Sequence, residues 1–133
     1  MSDDNTNFQL VTPLRLLSSQ EVNLAVLPGQ EGNLGVMAKH TPLLTLLKRG
    51  VVELFDENKI VDRLIVDGGV AEVTDNGITV LSERAEFLKA SNKEAVEEKL
   101  LNCRKNIDSK DEGVSNLAKI EVDFYNFVLE KIN

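Results

Sequence analysis

Short apolar runs that alternate with polar residues fill the chain up to about residue 88, and glycine, proline or asparagine separates them. The clearest pair is Val70–Val73 and Ile78–Leu81, which flank Asn76-Gly77, the strongest short hairpin signal. Eight to ten such strands with no helix between them predict an antiparallel sandwich or barrel. Strands are predicted at Phe8–Thr12, Val22–Val26, Val51–Phe55, Ile60–Val66, Val70–Val73 and Ile78–Leu81.

The pattern changes to helical spacing after residue 88. Ser91 and Glu94 have the spacing of a capping box, in which each side chain accepts a hydrogen bond from the other residue's backbone N–H. Two apolar stripes follow, separated by a polar break at residues 108–113, and they predict an antiparallel hairpin of two helices of about 16 residues each. The stripes consist of Val96, Leu100, Cys103 and Ile107, and of Leu117, Ile120, Phe124 and Val128.

Composition places a domain boundary in the same region. Seven of the eight glycines and all three prolines precede residue 78, whereas the remainder of the chain is rich in lysine, glutamate and leucine. The sequence therefore predicts an all-β domain over residues 1–88 and a two-helix domain over residues 89–133.

Charge and length exclude several classes of function. The chain of 133 residues carries a formal charge of −7, and such an acidic surface repels nucleic acid. Its longest nearly apolar stretch, Pro42–Leu47, is far shorter than the roughly 20 residues of a membrane-spanning helix. The acidic, polar N-terminus has neither signal-peptide nor transit-peptide character, which predicts a protein that stays in a bacterial-type cytoplasm.

Residues capable of catalysis or metal binding are scarce. One cysteine, Cys103, excludes an internal disulfide and every cysteine-based zinc site. His40 has no implied nucleophile or carboxylate partner, and it is interpreted as a surface or interface histidine. The glycines at 29, 32, 35, 68 and 69 lack the spacing of a phosphate-binding loop and are expected in turns and bulges. No catalytic, cofactor or metal site is predicted, which favours a binding or regulatory subunit.

Two blocks of sequence carry a resemblance to a known family. The first is Leu27–Val36, followed by His40–Thr45 and Gly50-Val51-Val52; the second is Asp67–Val73, followed by Ile78–Leu81. Their order and spacing, with a helix hairpin after them, resemble the epsilon subunit of F-type ATP synthase, a family that includes the mitochondrial delta subunit.

The resemblance implies a fold, partners and contact residues. It implies a sandwich of about ten antiparallel strands, then the helix pair, in a non-catalytic central-stalk subunit that couples rotation of the c-ring to ATP synthesis. The implied partners are the gamma subunit, the c-ring and the catalytic alpha and beta subunits, at the cytoplasmic face of the bacterial inner membrane, with membrane association only through the complex. The implied contact residues with the ring or gamma are Glu31, Gly32, Asn33 and His40. Asn33 stands where the family commonly has an acidic residue, so this chain lacks that charge at the implied contact.

In many bacterial members the helix pair extends along the stalk and hinders ATP hydrolysis, aided by basic residues. The matching candidates here are Lys93, Lys99, Arg104 and Lys105. Some members bind ATP through an Ile/Leu-Asp-x-x-Arg-Ala motif, but this chain has Ser91–Val96 at that place, without the aspartate and the arginine. No nucleotide cofactor is therefore implied.

Two other hypotheses remain open at the level of sequence. The chain can be a free-standing β-sandwich adaptor whose helix pair binds a partner protein. An enzyme of unknown class is the weakest alternative, and its test is loss of turnover in His40→Ala.

Overall fold

A computed structural model describes residues 4–132, and the chain divides into two compact units between Phe87 and Leu88. Among the described residues, the first unit contains eight strands and the second contains two helices, the first of which follows a 3₁₀ turn at Ala90–Asn92. The elements are β1 (Thr6–Thr12), β2 (Arg15–Val22), β3 (Leu24–Gly29), β4 (Gly32–Met37), β5 (Leu43–Asp56), β6 (Lys59–Thr74), β7 (Gly77–Leu81), β8 (Ala85–Phe87), α1 (Lys93–Arg104) and α2 (Glu112–Ile132).

The β-sandwich prediction is confirmed, with fewer strands than the expected ten. The strands are paired in the order β2-β1-β7-β6-β5-β3-β4, and β8 also pairs with β6. Strand β6 runs for 16 residues through Gly68 and Gly69, where separate strands were predicted on either side. Both glycines have positive φ, so the strand bends there instead of ending. Strands β5 and β6 therefore contribute to both layers of the sandwich.

The pairing is not antiparallel throughout. Strand β1 lies parallel to β7, with Phe8 opposite Ile78 and Leu10 opposite Val80. Residues between the layers form one apolar core because alternate side chains of each strand point to the same side. This core contains Phe8, Leu10, Val22, Ala25, Leu27, Val36, Leu47, Val52, Leu54, Leu64, Val66, Ala71, Val73, Ile78 and Val80.

The second unit is a two-helix hairpin, as predicted, but its buried face differs from the predicted stripe. Phe124 and Val128 are buried, whereas Leu117 and Ile120 are nearly half exposed. The buried positions nearer the start of α2 are Ser115 and Ala118. The Ser115 hydroxyl donates a hydrogen bond to the backbone carbonyl of Ile107 at 2.5 Å, so a small polar residue tethers α2 to the connection that precedes it.

The predicted capping box at Ser91 is wrong. Helix α1 begins at Lys93, and Ser91 belongs to the 3₁₀ turn that precedes it. Asn92 occupies the N-cap position with φ −95° and ψ −5° and makes no side-chain cap hydrogen bond. A capping side chain requires an extended backbone at that position, and Asn92 is already helical.

Candidate functional site: an apolar sheet face and the turn beside it

Five apolar side chains lie side by side across five adjacent strands on the outside of one layer. Cross-strand pairing places Leu16 opposite Val11, Val11 opposite Leu81, Leu81 opposite Val70, and Val70 opposite Leu46. Their chain neighbours Leu10, Val80, Ala71 and Leu47 belong to the core. Since side chains alternate along a strand, the five residues point away from the core. We call Leu16, Val11, Leu81, Val70 and Leu46 the outer row.

The outer row is exposed over much of its length. Leu16, Leu81 and Leu46 are 52%, 51% and 55% exposed, and Val11 and Val70 are half-buried. Leu44, two residues before Leu46 on β5, extends the apolar surface with 69% exposure. Four strand spacings give the row a length of about 19 Å. An exposed apolar surface of this length is typical of a protein–protein contact.

The predicted contact turn adjoins one end of the outer row. Glu31 lies in the two-residue turn between β3 and β4, and Gly32 and Asn33 begin β4; all three are exposed. The backbone N–H of Gln30, the other turn residue, donates to the carbonyl of Leu46 at 3.1 Å. A shallow cavity of about 530 Å³ is lined by residues 29–34 of this hairpin and by residues 43–46 of β5. The turn and the outer row therefore form one continuous surface.

Gly32 holds the turn in a conformation that other residues rarely adopt. Its φ is +131°, while no atom lies within 4 Å of the position that a Cβ would occupy. A side chain at position 32 would therefore strain the backbone without meeting a neighbouring atom.

His40 lies away from this turn. Its backbone N–H donates to the carbonyl of Met37, at the opposite end of β4 from Gly32. Five residue-to-residue steps along the extended strand separate Met37 from Gly32, a distance of about 16 Å. The His40 Nδ1 lies 2.7 Å from the carbonyl of Thr41, so this nitrogen carries the proton and donates. The structure does not bring His40 together with Glu31, Gly32 and Asn33.

The four basic residues predicted for regulation do not form one stripe on α1. Relative to Lys93, at 100° per residue, Lys99 is turned by about 240°, Arg104 by about 20°, and Lys105, the C-cap residue that follows α1, by about 120°. Arg104 and Lys105 are exposed, and Lys93 and Lys99 are half-buried. Helix α1 also carries Glu94, Glu97 and Glu98, so its three acidic residues balance its three basic ones.

Cys103 links the two helices through its thiol. The thiol donates to Glu121 Oε2 across 3.6 Å, and the residue is half-buried. Partial burial, with the negative charge of Glu121 and its hydrogen bond as further causes, raises the pKa of Cys103 from 9.0 to about 11. Each cause disfavours the thiolate, which is the reactive form.

Alkylation of Cys103 is therefore expected to be slow in the folded chain. At pH 8, iodoacetamide should react with the folded chain at least about 10-fold more slowly than with the urea-unfolded chain. The folded chain contains about 100-fold less thiolate at this pH, and this difference outweighs the higher intrinsic reactivity of a thiolate with a raised pKa. Glu121→Gln should recover only part of the rate, since burial is the largest cause of the shift. Glu112→Gln, at an exposed position of the same helix, is the control. Equal rates in the folded and unfolded chains would contradict the raised pKa.

Neither a metal site nor a membrane helix is found in the part of the chain that the structure describes. Across residues 4–132, no three histidine, cysteine, aspartate or glutamate side chains are grouped so that they could hold a metal ion. No helix within the same range combines the length and the apolar character needed to cross a bilayer.

The outer row was not predicted from the sequence. A signal was present at residues 43–47, which are all leucine except for Thr45. Because side chains alternate along a strand, these leucines lie on both of its faces. A strand with one face in water carries polar residues on that face, so apolar residues on both faces indicate that a second surface packs against it. The partners of Leu46 on the other strands became apparent only from the cross-strand pairing.

The described residues thus form a β-sandwich with an exposed apolar face, followed by a helical hairpin. The family model for "ATP synthase, Delta/Epsilon chain, beta-sandwich domain" matches residues 5–88. An ATP synthase epsilon chain of Rhodospirillum rubrum is 41% identical over 97 residues, which cover 73% of this chain and 72% of that protein. Another from Parvibaculum lavamentivorans is 46% identical over 80 residues, 60% of this chain and 61% of its own length. The chain belongs to the family of ATP synthase delta and epsilon chains.

Solved structures agree with the fold. A chain in the Euglena gracilis mitochondrial ATP synthase structure that includes the c-ring matches with a TM-score of 0.63 and 22% identity. That match covers 98% of this chain and 82% of the Euglena chain. A chain in the central stalk and c-ring structure of the Tetrahymena thermophila enzyme matches with a TM-score of 0.53 and 12% identity.

Proposed function

We propose that this chain is a central-stalk subunit of a proton-translocating F-type ATP synthase and has no catalytic role of its own. It couples rotation of the c-ring to ATP synthesis by binding the ring and the gamma subunit together. The observation that carries the proposal is the outer row, an exposed apolar face that is continuous with the turn at Glu31–Asn33.

The outer row is assigned to the gamma subunit. Its three exposed leucines leave about half of their surface in water, and burying such apolar area contributes about 25 cal/mol per Å² before the entropic cost of association is subtracted. Leucines 16, 81 and 46 come from three different strands, so the sandwich holds them in place before a partner arrives. A preorganised apolar surface loses little entropy on binding, which suits a permanent subunit contact.

The turn is assigned to the c-ring. Glu31, Gly32 and Asn33 are exposed at one tip of the sandwich, where they can reach a second partner beside gamma. His40 lies at the other end of β4, so it is the weaker candidate for the same contact. The turn presents one carboxylate, from Glu31, and one amide, from Asn33, both of which suit polar loops of a ring better than its apolar membrane surface.

The proposed location is the cytoplasmic face of the bacterial inner membrane, with the chain held there by the other subunits. The similar Rhodospirillum rubrum and Parvibaculum lavamentivorans proteins are bacterial ATP synthase epsilon chains, which supports this location. The helical hairpin is proposed to restrain ATP hydrolysis by contacting the alpha and beta subunits. With α1 balanced in charge and exposed ion pairs stabilising by only about 0–1 kcal/mol each, the restraint is expected to be moderate.

Removal of residues 89–133 tests this function. The core cluster of the sandwich consists only of residues from Phe8 to Val80, so the fragment 1–88 is expected to fold. It should be retained by immobilised gamma subunit as well as the full chain is. An ATP synthase assembled with the fragment should keep most of its ATP synthesis, while ATP hydrolysis rises by about 2–5-fold at low salt and less at high salt.

Two outcomes would contradict the proposal. Failure of a folded fragment to bind gamma would contradict the central-stalk role and favour the hypothesis of a free-standing adaptor. A rate of ATP hydrolysis that is unchanged at every salt concentration would contradict only the regulatory role of the hairpin and not the central-stalk role. Circular dichroism of the fragment, with the full chain as the control, separates either result from misfolding.

A further inference from the structure

Asp67 lies between two arginines that come from different parts of the sandwich. Its Oδ1 accepts a hydrogen bond from Arg49 Nε at 2.8 Å, and its Oδ2 accepts one from Arg84 Nε at 2.9 Å. The side chain of Asp67 is 11% exposed, against 28% for Arg49 and 21% for Arg84. These are charge-assisted bonds in a partly dry environment, where they are stronger than surface ion pairs.

Arg84 belongs to the connection between β7 and β8, and its backbone is fixed at the same place. The Arg84 carbonyl accepts the backbone N–H of Asp67 at 3.0 Å and the hydroxyl of Ser82 at 2.9 Å. Ser82 is itself bound to β1, because its N–H donates to the carbonyl of Val11. Asp67 therefore holds the side chain and the backbone of Arg84 together.

Strand β8, which follows directly, is short and lies at an edge. It has three residues and pairs with one strand, β6, through Ala85, Glu86 and Phe87. Ala85 and Phe87 are only partly buried against the core. Short elements with few buried apolar contacts open locally at much lower free energy than the core does. The chain leaves the sandwich immediately after β8.

We propose that Asp67 is a latch that holds β8 on the sandwich and thereby sets the length of the tether to the helical hairpin. With the latch closed, the tether is the connection of residues 88–92 between β8 and α1, in which Leu88 is buried and Ala90–Asn92 form the 3₁₀ turn. With the latch open and β8 released, it consists of residues 83–92, and the added five residues extend its reach by about 16 Å. The latch lies within the sandwich, so its existence does not depend on the proposed function. Its consequence for the regulation of ATP hydrolysis rests on the proposed function.

Loss of the Asp67 charge should open the latch rather than merely weaken it. In Asp67→Asn, two guanidinium groups remain near each other without the carboxylate that separates them, so attraction is replaced by repulsion. In Arg84→Met, the pair of Asp67 with Arg49 persists, and the β7–β8 connection loses its charge-assisted bond to Asp67 while the backbone hydrogen bond between Asp67 and Arg84 remains. Both variants should release β8, for different electrostatic reasons.

Amide hydrogen exchange of the full chain tests the latch. Residues 85–87 should exchange at least 10-fold faster in Asp67→Asn and in Arg84→Met than in the unchanged chain, with the amides of β5 and β7 unaffected. Asp75→Asn is the matched control, because Asp75 is exposed in the turn after β6 and its replacement changes the net charge equally. Unchanged exchange at 85–87 would overturn the proposal. An equal acceleration across β5, β7 and β8 would overturn it as well, since Asp67 would then only stabilise the whole sandwich.

The reach of the tether has its own measurement. Spin labels at Ser19→Cys in β2 and Asn116→Cys in α2, both exposed, are placed in a Cys103→Ser background. Asp67→Asn should broaden the distance distribution towards longer values, and Asp75→Asn should leave it unchanged. A released β8 with an unchanged distribution would overturn the role of the latch in setting the tether.

Discussion

Replacement of Gly69 by alanine is expected to destabilise the sandwich by about 4 kcal/mol or more, a large part of the 5–15 kcal/mol typical of a whole domain. A Cβ at position 69 would lie 2.1 Å from the carbonyl oxygen of Leu81 and 3.1 Å from the carbonyl carbon. Both are backbone atoms of the neighbouring strand, so relief requires β6 and β7 to separate. The φ of Gly69, +123°, adds backbone strain for any residue with a Cβ.

Gly35→Ala is the matched control for this prediction. Gly35 also lies in a strand, but the atom nearest to a Cβ at this position would be Leu24 Cδ1 at 3.5 Å, an ordinary contact. The change at position 35 should shift the free energy of unfolding by less than about 1 kcal/mol. Urea denaturation followed by far-ultraviolet circular dichroism measures both variants. Similar midpoints for the two would show that β6 and β7 can separate at Gly69 without loss of the fold.

Charges in the outer row are expected to abolish binding to the gamma subunit while leaving the fold intact. The double variant Leu46→Asp with Leu81→Asp should weaken binding at least about 100-fold, which corresponds to roughly 3 kcal/mol. Each substitution removes apolar area from the contact and places an unpaired carboxylate where water is excluded. Because both leucines are about half exposed in the free chain, the variant should fold normally.

The control for the outer row lies on the same long strand that contributes Val70. Ile60 is 49% exposed, near the start of β6, and is not part of the outer row. Ile60→Asp should leave binding to immobilised gamma within about 2-fold of the unchanged chain. Equal weakening by Ile60→Asp and by the double variant would mean that gamma does not recognise the outer row specifically.

The helical hairpin and most strand positions could be predicted because their signals are local. The hairpin signal at Asn76-Gly77 is confirmed: Asp75 and Asn76 form the two-residue turn between β6 and β7, and Gly77 begins β7 opposite Thr74. The apolar positions Phe8, Leu10, Ile78 and Val80 are all in the core, as their period of two requires. The family resemblance also depended on local blocks, and the match to residues 5–88 confirms it.

The errors in the helical part arose where tertiary contacts outweighed local preference. Ser91 has the sequence of a cap, but the chain enters α1 through a 3₁₀ turn and places Asn92 at the N-cap. Leu117 continues an apolar stripe, yet Ser115 and Ala118 are the buried residues near the start of α2. The sequence pattern shows which residues repeat on a helix, whereas the rotation of that helix is decided by what packs against it.

The sequence by itself determined the two-part organisation and the period of each element, because these depend on residues that are close along the chain. Only the tertiary structure brought Leu16, Val11, Leu81, Val70 and Leu46 into one row, and only it placed Asp67 between Arg49 and Arg84. Arg49 and Arg84 are 35 positions apart, and no periodicity in one segment specifies how distant strands are aligned. That alignment is fixed by bends at Gly68 and Gly69 and by the packing of the shared core, which are properties of the whole sandwich.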